Sequence, residues 1–495
     1  MVKPSQVLQR QIEKAVLLAQ QGRFDIAIPR YVKLIKRLPD DPELRLQLAN
    51  ALGLSGRRAE AHHQHEVLRA ALGAKPELEV RIGRDLFQWQ DYEGALNVWD
   101  RLYSVESNWM SEAFYHRIRT SERLGRISEA RMALEEAQMA KVVGSGWGWD
   151  WLAGRLAERE GKLDEAESYY RSGLDKAGEN EKAGCRCSLA RLALRKCDGA
   201  SLSAEIKSLQ TLRGAEAAEI RKLFPLSNDP AVMPQALDAA PDMPNLIVLV
   251  GFPRAGTTLL ARLLAERFGI PVSEEYPYLE QLINRWGQPG RQFPDPETLA
   301  HKNVRLRGKA IESYWQAQRE TLKNDFAAGD YLIDKNPSQA GLLPWLVGLI
   351  PGLQVIWCER DPRDLWLSSV TLDVPVNPVS CWWQDPTHFA SWVRSQHALS
   401  EKLQEHLEPS RFQRVDYAEL VDAPVRVLER LESTMKLPRS DKTIKLESPR
   451  SPSYAEAVEP PHKRAFGRWP KLVSDLDPSS VAIMEGVAID LGFTG

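Results

Sequence analysis

An alanine recurs through the first third of this chain at a nearly constant interval. Ala27, Ala61 and Ala95 stand 34 residues apart, and Ala130 and Ala166 continue the series at 35 and 36. Their neighbourhoods are alike: Gly22-Arg23-Phe24-Asp25-Ile26-Ala27, Gly56-Arg57-Arg58-Ala59-Glu60-Ala61, Trp89-Gln90-Asp91-Tyr92-Glu93-Gly94-Ala95, Gly125-Arg126-Ile127-Ser128-Glu129-Ala130 and Gly161-Lys162-Leu163-Asp164-Glu165-Ala166. A period of this length predicts stacked helix pairs rather than one closed core. The small Ala lets the second helix of a pair approach its neighbour, Gly closes the turn, and Pro39 or Pro42 ends a repeat. A single pair cannot bury its apolar face, so the stack shares a continuous core and forms a right-handed solenoid with a concave surface. A weaker helical segment around Ala190 to Leu223 caps it.

The array is tetratricopeptide-like and is expected to span residues 1–228. Pro230, Pro234, Pro241 and Pro244 mark a linker over 229–244. Beyond it, strand-like runs at Leu246 to Val250 and Leu353 to Cys358 alternate with helical stretches, and Tyr331-Leu332-Ile333 and Phe412-Gln413-Arg414-Val415 supply further strands. The expected fold class is therefore α + α/β: a helical solenoid, then a P-loop-like α/β domain over 245–495 whose parallel sheet binds ligands at strand C-termini.

At the first of these strands, Leu246 to Val250 runs into Gly251-Phe252-Pro253-Arg254-Ala255-Gly256-Thr257-Thr258. This is the frame of a nucleoside triphosphate loop, G-x-x-x-x-G-K-[ST], with Thr257 where the lysine should be. Backbone N–H groups and the start of a helix near Thr257 still favour an anion, and Arg254 supplies charge from inside the loop. A nucleotide with a reactive group beside an Arg fits, with no evident need for metal.

The loop resembles the first signature of the sulfotransferases that use 3′-phosphoadenosine-5′-phosphosulfate. Their second signature, a strand followed by an Arg and a Ser eight residues on, is met by Val355 to Arg360 and Ser368. The chain is similar in particular to protein-tyrosine sulfotransferases and to bacterial sulfotransferases carrying tetratricopeptide repeats. By that resemblance Glu275, 21 residues after Arg254, is the catalytic base, and Lys335 in Ile333-Asp334-Lys335-Asn336-Pro337 the catalytic lysine. Tyr417 in Val415-Asp416-Tyr417-Ala418-Glu419-Leu420 lies by the 3′-phosphate. Ser453, Pro460, Arg468 and Trp469 match a C-terminal S-x6-P-x7-[KR]-W segment, so that Ser453 and Arg468 reach the 5′ side. Arg254, Ala255, Gly256, Thr257 and Thr258 then hold the 5′-phosphosulfate, and Arg360 and Ser368 the 3′-phosphate. The resemblance covers roughly residues 245 to 475. Ala255 replaces the usual loop serine, Leu372 a second phosphate-binding Arg, and Pro277 an acceptor-contacting Arg.

Composition bounds the rest. With 27% charged and 43% hydrophobic residues the chain reads as soluble and globular, and 65 basic against 67 acidic residues give no global reason to expect nucleic acid. Cys185, Cys187, Cys197, Cys358 and Cys381 show no metal-ligand spacing, and their odd number points to a reducing compartment. Met1 to Gln6 leads into a polar amphipathic helix instead of an apolar signal, and no apolar run reaches the ~18 residues of a membrane span. The expected location is the cytoplasm, with no membrane partner. His62-His63-Gln64-His65 reads as a polar helix surface and not a metal site. Trp147, Trp149 and Trp151 read as inter-repeat packing, with a peptide-binding ledge as the alternative, and Trp382 and Trp383 as core.

These residues together imply sulfuryl transfer to an acceptor hydroxyl without metal: Glu275 takes the proton, while Arg254 and Lys335 stabilise charge on the transferring group. The acceptor is a peptide or protein, tyrosine first, bound with help from the repeats; a glycan or small phenol is left open. The rival reading is an inactive nucleotide-binding repeat scaffold. A kinase is disfavoured by Thr257 in the lysine position.

Overall fold

The computed structural model describes residues 6–103, 108–226, 233–284, 304–438 and 467–493. Among the described residues twelve helices, α1 (Gln6–Gln20) to α12 (Gly199–Leu223), precede the first strand. They pack as successive pairs, α1 on α2 (Phe24–Ile35) through α11 (Lys182–Lys196) on α12. All five periodic alanines are 0% exposed, each wedged where two helices meet. The turn before each second helix uses a left-handed residue: Gly22, Gly56, Gly125 and Gly161, with φ of 70°, 83°, 76° and 79°, and Gln90 at 63° in the third pair. Pro42 does not end a repeat. It stands at the start of α3 (Pro42–Leu54) behind the capping carboxylate of Asp41, where its missing N–H costs nothing. Nor is the His62 to His65 stretch wholly a polar surface: His65 is buried, stacked on Trp89 at 5.2 Å and 3.3 Å from Asp85, because its helix face turns toward the next pair.

The second half is built on five parallel strands: β1 (Asn245–Gly251), β2 (Val272–Glu274), β3 (Tyr331–Lys335), β4 (Gln354–Glu359) and β5 (Phe412–Asp416), in the order β2-β3-β1-β4-β5. Burial on both faces explains why β1, β3 and β4 read as apolar runs without alternation. Ile247, Leu249, Ile333, Ile356, Cys358 and Val415 face one core. Leu246, Val248, Val250, Leu332, Val355 and Trp357 face the other. The chain leaves β1 for the β2 edge, returns through β3, and crosses to β4, so the strand order reverses at β1 and opens a crevice over its C-terminal end.

The solenoid touches this domain at two places. Near its start, Leu54 O accepts from Gln281 Nε2 at 2.9 Å and Ala59 N donates to Glu320 Oε2 at 3.2 Å. Near its end, Arg213 and Arg221 donate to the carbonyls of Leu372 and Cys381, and Cys187, Ala190, Leu202 and Leu209 join the core on one face of the sheet.

Candidate active site

All the anion-binding candidates on strands stand at C-terminal ends, brought side by side by register. Gly251 pairs with Cys358, Leu249 with Lys335, Glu274 with Lys335, and Glu359 with Asp416. A one-residue slip would turn Lys335 to the other face.

After β1 the chain reverses tightly through three left-handed residues, Gly251 (φ 128°), Arg254 (74°) and Gly256 (90°). The glycines are required by space as well as by φ. A Cβ on Gly251 would lie 2.1 Å from Cys358 O, and one on Gly256 2.5 Å from the Tyr417 ring. Helix α13 (Thr257–Phe268) has Gly256 as its N-cap and no side-chain cap hydrogen bond, and the start of a helix is the end that favours an anion. Thr257 and Thr258 are buried there, and the Ala255 methyl packs into the core beneath the loop.

Two clusters flank this loop. In the first, Arg254 Nε donates to Ser368 Oγ at 2.9 Å, and Arg360 Nη1 donates to Arg254 O at 2.9 Å. The Arg360 guanidinium lies 4.7 Å over the Tyr417 ring and 4% of the residue is exposed. The two sequence signatures thus meet in space, and Arg254 rests on the Ser368 side. In the second cluster, Lys335 Nζ lies 2.7 Å from Glu275 Oε1 and 3.5 Å from Glu274 Oε1. Burial alone would push the Lys335 ammonium down, but Glu275 and Glu274 outweigh it and hold it above the usual range. Glu275 is itself left-handed (φ 57°), and its N–H donates to Lys335 O at 2.8 Å, which turns its carboxylate back over the lysine.

Several contributors escaped sequence reasoning. Asp364 accepts from the backbone N–H groups of Gly467, Arg468 and Trp469 at 2.7, 3.1 and 3.0 Å, and Arg360 Nη2 lies 4.0 Å from the same carboxylate. The i,i+4 spacing of Arg360 and Asp364 was the available signal. Glu274 emerges as a second carboxylate on Lys335. Tyr276 is braced by Arg58 of the solenoid, which donates to its hydroxyl at 3.3 Å and to Trp89 O at 2.7 Å. Ser453 and Pro460 lie outside the described residues. Among the described residues, no group of three or more His, Cys, Asp or Glu is arranged to hold a metal ion, and no helix is long and apolar enough to cross a membrane.

Residues 244–441 match the model of the sulfotransferase family, so a sulfotransferase-family domain follows the helix-pair array. An uncharacterized protein of Aquifex aeolicus (strain VF5) is 19% identical over 251 residues, 48% of this chain, and the chain spans 32% of that relative's length. The sulfotransferase domain from the curacin biosynthetic pathway covers 51% of this chain and 98% of its own, at 16% identity and a TM-score of 0.33. A tetratricopeptide repeat protein from Parabacteroides merdae covers 44% of this chain and 92% of its own, at 15% identity and a TM-score of 0.32.

Proposed function

We propose that this chain, whose C-terminal half is a sulfotransferase-family domain, transfers a sulfuryl group from 3′-phosphoadenosine-5′-phosphosulfate to an acceptor hydroxyl. The observation that carries the reading is the buried Lys335–Glu275 pair set beside an arginine-lined, glycine-cradled strand-to-helix loop. A loop that admits no Cβ at Gly251 or Gly256, with the start of a helix behind it, fits a phosphate pressed against the backbone. Arg360, planar and buried against Tyr417, fits a second phosphate, with Ser368 as a further donor.

In this scheme Glu275 accepts the acceptor's hydroxyl proton as the new O–S bond forms. The S–O bond to the 5′-phosphate breaks in line, releasing adenosine 3′,5′-bisphosphate. Lys335 supports the developing charge on the bridging oxygen, Thr257, Thr258 and the loop amides hold the 5′ side, and Arg254, which donates to Ser368 Oγ, stands beside Arg360 at the 3′ side. Arg468 and the Ser453 segment complete that side by resemblance. The donor supplies an already activated sulfuryl group, so the protein's task is positioning and charge stabilisation, as in phosphoryl transfer.

A peptide or protein acceptor, tyrosine first, is favoured by the solenoid lying against the domain at two places. The buried thiols of Cys185, Cys187, Cys358 and Cys381, all raised by burial, suit a reducing cytoplasm. The test is calorimetric titration with adenosine 3′,5′-bisphosphate, AMP and magnesium ATP. Selective binding of the bisphosphate is expected. Preference for magnesium ATP would replace the reading with phosphoryl transfer, and binding without label transfer to any acceptor would leave a scaffold.

A further inference from the structure

Two adjacent residues hold the 467–469 segment to the helix Pro362–Val370, which follows Arg360 and carries Ser368. Asp364 accepts from the N–H groups of Gly467, Arg468 and Trp469. Arg363 donates from Nη1 to Glu485 Oε2 at 2.9 Å, and Glu485 Oε1 accepts in turn from Trp469 Nε1 at 2.5 Å. Three successive N–H groups can converge on one carboxylate because Gly467 is left-handed (φ 64°) while Arg468 is right-handed (φ -79°, ψ -31°). That alternation of hand shapes a backbone nest for an anion. Here the nest holds the protein's own carboxylate.

Asp364 is buried, and a buried carboxylate is costly to desolvate. Docking of the segment does not need it. Trp469 and Leu472 are buried in the core on this side of the sheet, and Glu485 supplies a second tie. What the three N–H bonds add is orientation of the backbone on both sides of Arg468, a half-buried residue. The same carboxylate lies 4.0 Å from Arg360 Nη2, and Arg360 donates to Arg254 O. The Arg468 backbone therefore stands one carboxylate away from the guanidinium that fits the second phosphate. An unshared carboxylate so close would oppose an incoming phosphate. Three charge-assisted bonds to backbone offset that repulsion.

We propose that Asp364 is a positioning residue: its carboxylate fixes the 467–469 nest so that the Arg468 guanidinium is presented to the nucleotide donor. The inference rests on the sulfuryl-transfer reading, which gives Arg468 a donor to meet. The helix Pro362–Val370 then serves the donor twice, directly through Ser368 and indirectly through Asp364. Arg468 is separated from Arg360 by 108 residues in sequence, and Asp364 is the group that brings their backbones to one site. A correctly placed arginine is worth having only if its backbone does not drift, since small misplacements cost binding and rate.

The test is a double-mutant cycle on the full chain, read as calorimetric affinity for adenosine 3′,5′-bisphosphate. Asp364→Asn keeps the shape of the side chain but sets an amide NH2 among three N–H donors. Gly467→Ala leaves Asp364 in place and strains the left-handed turn, with a Cβ that meets nothing within 4 Å. Each should weaken binding about 10-fold, as should Arg468→Ala, the lower end for a lost charged contact. In the Arg468→Ala background, neither Asp364→Asn nor Gly467→Ala should cost more than about 2-fold further, because residues that act through one another are not additive. Circular dichroism would establish that every variant folds. Full-sized losses in the Arg468→Ala background would assign Asp364 to the fold or to Arg360 and overturn the proposal, as would unchanged affinity in both single variants. If wild type binds magnesium ATP in place of the bisphosphate, the sulfuryl-transfer reading fails, and the same cycle read with that nucleotide still decides the role of Asp364. Absence of any nucleotide binding would overturn both.

Discussion

Lys335 Nζ and Glu275 Oε1 lie 2.7 Å apart at the ends of neighbouring strands, with the lysine 0% exposed and the carboxylate still reachable from solvent. The pair is held by backbone as well as charge, since Glu275 N–H donates to Lys335 O. Glu275→Ala should reduce turnover by about two to four orders of magnitude, the range of general acid–base catalysis, while affinity for adenosine 3′,5′-bisphosphate persists. Single-turnover label transfer beside calorimetry would check both, and unchanged turnover would remove Glu275 as the base.

Removing the lysine should cost stability too. Lys335→Met strands Glu274 and Glu275 beside each other without their cation, a loss of about 3 to 5 kcal/mol for a broken buried pair. Adding Glu274→Gln should recover much of that in a denaturant melt without restoring turnover. Recovery of turnover would show that Lys335 serves the fold alone.

Arg360→Ala should chiefly weaken bisphosphate binding, by about 10- to 150-fold for a lost charged contact, and AMP affinity should change little. Equal losses for the two nucleotides would place Arg360 away from the 3′-phosphate.

Arg58 belongs to the solenoid yet stacks 5.4 Å from the Tyr276 ring, next in sequence to Glu275. Arg58→Ala should lower kcat by about 3- to 10-fold through misplacement of the base, with bisphosphate affinity unchanged. A full-rate Arg58→Ala enzyme would mean that the repeats do not support the base.

Asp334 points away from Lys335 into the core, where Tyr314 OH at 2.9 Å and Gln318 Nε2 at 3.2 Å donate to one oxygen. Burial raises it from 3.8 to about 7. Between those values the folded state retains a proton that the unfolded chain has lost, so stability falls as pH rises through this window and levels off above it. Asp334→Asn mimics the protonated form. It should raise Tm at pH 8 and have little effect near pH 4; an equal shift at both would show that Asp334 is not titrating.

The local sequence was sufficient where chemistry and spacing are short-range. The alanine period marked the helix pairs because a fixed contact between adjacent helices needs a small residue once per repeat. Gly251 and Gly256 marked the tight strand-to-helix loop because only glycine tolerates their φ and close approach. Three of the five strands, β1, β3 and β4, were legible as apolar runs, and β5 as a shorter strand-like stretch with Gln413 and Arg414 inside it; β2 was not, since Val272-Ser273-Glu274 is too short to show a pattern and pairs only with β3. Tertiary structure alone decided that Glu274 shares Lys335 with Glu275, that Asp364 gathers the 467–469 backbone, and that Arg58 reaches Tyr276 across 218 residues. Such partners are set by strand register and domain docking, which long-range burial fixes and which no local pattern encodes.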